Sequence, residues 1–241
     1  MKFTILRFET LDSTNTEAAN QARKGAAEGL CIVADEQTSG KGRQGRSWTS
    51  EKGSGLYMSL VLRPRLDPAH LSLITLAAAV AVYDVLLKGL LIKPDIKWPN
   101  DVLVDGKKIC GILAEAVETP AGLAVVLGIG INLQRPADDN ATSISYQTAF
   151  RTSRDEVLEA VLKEIAQSYD RLADDPASIV EMWTERSSYA SGLNVRITLS
   201  DKTLEGVTAG LEPSGALRVK LPDDSTTIIH AGDVERLRPS P

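Results

Sequence analysis

From Gly192 onward the apolar residues fall into short two-residue alternations, and this limits the folds open to the chain more than any other feature. The runs lie at 195–199, 204–211, 217–221 and 227–229, separated by Ser-Asp, Pro-Ser-Gly and Pro-Asp-Asp turns. Alternation sends successive side chains to opposite faces of a strand, so this tail reads as a small barrel-like β domain. Upstream, strand-like and helix-like segments are mixed. That order indicates an α+β architecture, with residues 1–190 as the main domain and 191–241 as an appended module.

Residues 4–8 predict a strand. Asp12-Ser13-Thr14-Asn15 offers capping side chains, and Thr14 with Glu17 fits a capping box opening a helix that stops at Gly25. Strands are predicted at 30–35 and 56–62, and residues 37–55 as a long loop. A helix is predicted at 68–91. Its apolar stretch is interrupted by Asp84 and Lys88, so it reads as a buried core helix and not a membrane span. Strand-type segments follow near 95–98, 102–104, 108–117 and 123–133, with Asp105-Gly106 as a hairpin turn. Helices are expected at 153–174 and 176–189.

The chain has 241 residues, 43% of them apolar, and a net charge of -5. A substantial core can form, and the acidic balance argues against broad binding to nucleic acid or to an anionic membrane. The cysteines, Cys31 and Cys110, and the histidines, His70 and His230, show no metal-ligand spacing. Two buried thiols in a reducing compartment are expected. The first residues lack the apolar segment of a signal peptide, and a cytoplasmic location is expected.

The loop from Gln37 to Ser50 carries Lys41, Arg43 and Arg46 among Gly40, Gly42 and Gly45, with no acidic residue. Glycines let backbone N–H groups approach a ligand, and arginine grips phosphate oxygens bidentately. A polyphosphate or acyl-phosphate site and a solvated flexible loop fit these residues equally. The glycines match a dinucleotide fingerprint literally, but no helix opens after them, so that reading is set aside.

Lys97-Trp98-Pro99-Asn100-Asp101 sets a cation, an aromatic ring, an amide and a carboxylate around a proline that stiffens the turn. After the Asp105-Gly106 turn, only one of Lys107 and Lys108 can point back toward that segment. Gly111 inside a strand implies close approach by a ligand or another backbone. Gly128-Ile129-Gly130-Ile131-Asn132 places two glycines and an amide at alternating positions.

In this order the segments resemble the biotin protein ligase family. The matching residues are Ser13-Thr14-Asn15, Gln37, the Gly40–Arg46 loop, Trp48, Lys97 to Asp101, Lys108 to Gly111, Gly128 to Asn132 and, more weakly, Gly232-Asp233-Val234. The resemblance implies a mixed β-sheet flanked by helices, a class II synthetase-like catalytic domain, and a C-terminal SH3-like small β-barrel. It implies ATP-dependent activation of biotin to biotinyl-5'-AMP, with Mg²⁺, and transfer to a lysine of a biotin carboxyl carrier domain of acetyl-CoA carboxylase or a related carboxylase. Ser13, Thr14, Asn15 and Gln37 would line the pocket for the ureido head. Lys41, Gly42 and Arg43 would close over biotin and the phosphates. Lys108, beside Gly111, would hold the biotin carboxyl and the adenylate. Arg46, Trp48, Lys97, Asn100 and Asn132 would face the nucleotide. Asp101 would sit on the metal side or orient the acceptor amine, and Arg43, Lys108 and Asp101 would form the catalytic set.

Two departures from the family pattern are Lys41 and Gln44, where arginine is frequent. Only twelve residues precede Ser13, too few for the helix-turn-helix of the family's repressors, so no DNA partner is expected. A homodimer is compatible with the resemblance. The competing readings are a lipoate or octanoate protein ligase of the same fold and a non-enzymatic nucleotide-binding module.

Overall fold

Each central strand of the chain buries its two faces against different partners, and this division positions everything that follows. The computed structural model describes residues 1–134, 136, 138–199 and 202–237. The first part contains β1 (Thr4–Leu11), α1 (Thr14–Arg23), β2 (Leu30–Gln37), β3 (Gly55–Leu62), α2 (Leu73–Asp84), β4 (Asp95–Lys97), β5 (Asp101–Val104), β6 (Lys107–Thr119) and β7 (Gly122–Asn132). Then come α3 (Ile144–Gln147), α4 (Arg154–Asp174) and α5 (Pro176–Glu185). The strands form one sheet in the order β1-β2-β3-β7-β6-β5-β4. β1 and β2 run parallel, and the other neighbours are antiparallel.

One face of the sheet carries the main core. Leu127, Ile129 and Ile131 of β7 and Ile112 of β6 point there, against α2. α2 is apolar on nearly every side because the sheet lies on one flank and α4 and α5 on the other. The helical path from Pro68 to Gly89 has the length and composition of a membrane span, but 67% of its most apolar window is buried inside the protein. It is also less regular than the predicted single helix, with a 3₁₀ turn at Pro68–His70 and a π turn at Val85–Gly89. Asp84 is buried and holds Arg186 and Lys88 at 3.0 Å. A buried carboxylate is tolerated only when paired in this way.

The other face begins apolar beneath α1, where Ala18 and Ala22 pack on Ile32, Val61, Ala124 and Val126. The Thr14–Glu17 capping box does not form. Ser13 is the N-cap and makes no side-chain cap bond. Instead the Gln37 side chain, from the end of β2, accepts the Thr14 backbone N–H at 2.7 Å. A tertiary partner has replaced the local one.

The second sheet comprises β8 (Ser191–Thr198), β9 (Thr203–Leu211), β10 (Leu217–Lys220), β11 (Thr226–Ile229) and β12 (Asp233–Arg236), in the order β11-β10-β9-β8-β12, all antiparallel. This is the SH3-like module, with β12 and the short α3 additional to the predicted elements. Its core is continuous with that of the first part. Trp98 is the rivet at the junction: it is 2% exposed, and its indole N–H donates to Gly215 O at 2.9 Å.

Candidate active site

Beyond the N-terminus of α1, the second sheet face changes from apolar residues to glycine. Gly128 and Gly130 continue the row begun by Ala124 and Val126 on β7, and Gly111 on β6 pairs with Gly130. The row becomes the floor of a cavity of about 110 Å³. Side chains from elsewhere lie directly on this floor. A Cβ at Gly128 would stand 2.0 Å from Asn15 Oδ1, one at Gly130 2.5 Å from Trp48 Nε1, and one at Gly111 2.7 Å from Trp48 Cζ3. Any larger residue would displace them, so the alternating glycines serve close approach.

One end of the cavity is uncharged and hydrogen-bonded. Gln37 Oε1 accepts from Thr14 N and, at 3.0 Å, from Thr14 Oγ1, while Gln37 Nε2 donates to Ser50 Oγ at 2.7 Å. Ser59 Oγ lies 2.7 Å from Thr14 Oγ1 and 2.6 Å from Asn15 Oδ1. Asn15 Nδ2 donates to Glu115 Oε2 at 2.7 Å. Ser13, Thr14, Asn15 and Ser59 are all buried. Sequence reasoning missed Ser59 and Glu115. For Ser59 the available signal was a hydroxyl within the fully buried strand β3; Glu115, in a strand with several charged residues, gave none.

The other end is cationic. Lys108 points into the cavity while Lys107 is exposed, as the two-residue period requires. Lys108 Nζ lies 2.7 Å from Asp101 Oδ1 and 5.1 Å from the centroid of the Trp48 ring. The contact with Asp101 is one of charge, since Oδ1 is buried with no well-aligned donor. Arg43 Nη1 donates to Asn100 Oδ1 and to Gly232 O, both at 3.3 Å, and Arg46 forms an ion pair with Asp233. The start of β12 thus reaches the basic loop, a contact the weak tail match did not reveal. Burial lowers the Arg43 pKa, Asp101 opposes that shift, and Arg46 adds to it. Burial also lowers the pKa of Lys97, against the pull of Asp101 and Glu235 and with the push of Lys108 and Arg46.

The expected site residues divide among three adjoining spaces. Ser13, Thr14, Asn15, Gln37, Lys41, Gly42, Arg43, Arg46, Trp48, Asn100, Asp101, Lys108 and Gly111 share the glycine-floored cavity. Lys97 lies outside it, in a cleft of about 290 Å³ with Arg46, Asp101, Asp233 and Glu235. Asn132 lies in a third space of about 300 Å³, reached past Trp48 and Lys108. Its amide donates to Thr142 O at 3.0 Å and Lys108 O at 3.4 Å. Asn132 is therefore separated from Asn100, with which it was grouped. Trp48 and Lys108 form the partition, and the indole N–H is buried without a partner.

Among the described residues no three His, Cys, Asp or Glu side chains converge on a metal position. A magnesium ion carried largely by phosphates needs only one or two protein carboxylates, and Asp101, between Lys108 and Asn100, fits that limited role.

Comparison with known proteins agrees with this arrangement. Residues 7–132 match the Biotin/lipoate A/B protein ligase family, and residues 190–237 match the Biotin protein ligase C terminal domain. The chain is 36% identical to the Bifunctional ligase/repressor BirA of Bacillus subtilis (strain 168) over 96% of its own length and 73% of that protein. It is 34% identical to the Biotin--[acetyl-CoA-carboxylase] ligase of Paracoccus denitrificans, covering 88% of this chain and 92% of that one. Among solved structures, the biotin protein ligase from Aquifex aeolicus in complex with biotin and ATP superposes with a TM-score of 0.84 at 28% identity, over 98% of this chain and 99% of the other.

Proposed function

The chain belongs to the biotin/lipoate A/B protein ligase family, and on that premise we propose how its cavity joins biotin to ATP and passes the biotinyl group to a carboxylase carrier lysine. The observation that carries the reading is one trough with two unlike ends. Uncharged hydrogen-bonding groups at α1 suit a ureido ring, the glycine floor suits a slim aliphatic chain, and Lys108 stands where a carboxylate at the far end of that chain would arrive.

In the first step a carboxylate oxygen of biotin attacks the α-phosphorus of ATP, and the bond to pyrophosphate breaks. Both reactants are anionic, so cations at their meeting point lower the barrier. Lys108, Arg43 and Arg46 supply that charge. Asp101 pairs with Lys108 here, and Asp233 with Arg46. These carboxylates hold the cations in place until substrate oxygens replace them. Lys97 and Arg46, in the neighbouring cleft, are placed to receive the departing pyrophosphate. The base of ATP fits the space past Trp48, beside Asn132. Mg²⁺, held with the phosphates by Asp101, would add further charge neutralisation.

In the second step the carrier lysine amine attacks the acyl carbon, AMP leaves, and the amine gives up a proton. Asp101 is the carboxylate placed to orient that amine or accept its proton. Closure of the 41–46 loop over the mixed anhydride would keep water from it.

The partners proposed are biotin, ATP and a biotin carboxyl carrier domain, and not DNA, because the net charge is -5 and Arg43 and Arg46 are engaged by Asn100, Gly232 and Asp233. A second copy of the chain is also proposed as a partner. The outer strand β1, with Ile5 and Leu6 each 37% exposed, is the surface it would use. Two buried, unpaired cysteines suit a reducing cytoplasm. The lipoate alternative is not favoured: the relatives carry biotin ligase names, and lipoate has no ureido group to engage the polar end.

ATP–pyrophosphate exchange with biotin is the direct test. Lys108→Ala should abolish exchange while the fold survives, and full exchange in that variant would remove Lys108 from the mechanism. Failure of the unaltered chain to turn over ATP with biotin and a carrier domain would favour a nucleotide-binding module instead.

A further inference from the structure

The uncharged end of the cavity is bounded by a charged residue that the mechanism above leaves unused. Glu115 stands half-buried on β6, with its Oε2 2.7 Å from Asn15 Nδ2. An ionised carboxylate only accepts hydrogen bonds, so it can face only the NH₂ group of the Asn15 amide. Leu113 O, another acceptor, lies 3.4 Å from the same nitrogen. Both turn Asn15 Oδ1 the opposite way, toward Ser59 Oγ at 2.6 Å and over the bare Cα of Gly128.

An asparagine amide has nearly the same shape either way round, so packing alone does not choose between its orientations. We propose that Glu115 is a positioning residue that sets the polarity of Asn15, and with it the pattern that selects a cyclic urea. The inference rests on the biotin reading. At the far end of the same network, Gln37 Oε1 is fixed as an acceptor by the Thr14 backbone N–H, and the Thr14 hydroxyl proton points to it as well. Thr14 Oγ1 and Asn15 Oδ1 then present lone pairs, and the single Ser59 proton can satisfy only one of them at a time. One acceptor is always left open to a ligand N–H. A cyclic urea carries two such donors. If Asn15 were reversed, its NH₂ would confront those donors, and the match would fail.

The test uses the full chain in ATP–pyrophosphate exchange, with biotin and ATP varied separately. Glu115→Gln keeps the shape but presents either an acceptor or a donor to Asn15, releasing its polarity. The KM for biotin should rise about tenfold, the worth of one buried ligand N–H left without its acceptor, with the KM for ATP unchanged. The double variant Asn15→Asp/Glu115→Gln should recover most of the loss, because a carboxylate at 15 accepts on both oxygens and the amide at 115 can donate to it. A Glu115→Gln enzyme with an unchanged KM for biotin would overturn the inference. So would equal rises in both KM values without rescue, which would mark a merely structural role. If the unaltered chain exchanges no pyrophosphate with biotin, the functional reading falls, and this inference with it.

Discussion

Replacing Gly128 with alanine adds a single methyl group to the floor, and the structure states what that group meets. The new Cβ would stand 2.0 Å from Asn15 Oδ1, 2.8 Å from its Cγ and 3.1 Å from its Nδ2. Carbon and oxygen settle at about 3.3 Å, so Asn15 must retreat by roughly 1.3 Å. It cannot do so with its bonds intact, because Ser59 at 2.6 Å and Glu115 at 2.7 Å hold its two ends. Losing one neutral bond and weakening one charged bond, with overpacking added, costs about 2–3 kcal/mol. For a chain of this size that lowers the Tm by about 4–12 °C. The effect on ligand should be larger than on the fold, since a group moved by about 1 Å can lose roughly 100-fold in function. Isothermal titration with biotin should show at least about a 30-fold weaker Kd. Gly89→Ala is the control: nothing lies within 4 Å of its Cβ position, so it should leave the Kd for biotin unchanged and should not lower the Tm. A folded Gly128→Ala protein binding biotin within about threefold of the unaltered chain would refute the floor argument.

Trp98→Phe removes the indole N–H that satisfies Gly215 O in the buried junction. The loss should cost about 1–3 kcal/mol, read as a lower urea midpoint, and an unchanged midpoint would show that the rivet is not needed. The cysteines set an alkaline limit. Burial raises the Cys31 thiol to about 12 from 9.0, with the charge of Arg7 opposing the shift, and burial raises Cys110 as well. A folded value above the unfolded one means that this stabilisation is complete below about pH 9 and is lost as the pH rises from there toward 12. Stability measured by denaturant should fall across that window. At pH 8.5 iodoacetamide should label the thiols only after unfolding, and rapid labelling of the native chain would contradict the burial.

What could be read in advance follows the range of the interactions. The alternation past Gly192 fixed the nature of the tail, and the apolar run at 71–92 its role as a core helix, because periodicity and burial are written in local sequence. The Thr14–Glu17 box failed because a residue 23 positions away competed for the same N–H. Trp48 was legible as a site residue, but its position as the wall between two spaces depends on Gly111 and Gly130, two strands of a sheet whose register no short motif encodes. Ser59 and Glu115 escaped notice for a related reason. Each is an ordinary residue made important by facing Asn15 across a strand order, β3-β7-β6, that chain order does not reveal. The link from Arg43 and Arg46 to Gly232 and Asp233 spans nearly the whole chain, and the tail's weak motif gave no hint of it.

A trough paved with glycine can be altered in one direction only. Gly111, Gly128 and Gly130 have no side-chain atoms to give up, so mutation there can narrow the channel but never widen it. A bulkier acyl chain could be admitted only by trimming the walls, at residues such as Trp48, Ser59 or Thr14, each of which is already engaged elsewhere. The breadth of cargo this protein can acquire is thus governed by its rim, while its floor stands at the limit of thinness that a polypeptide allows.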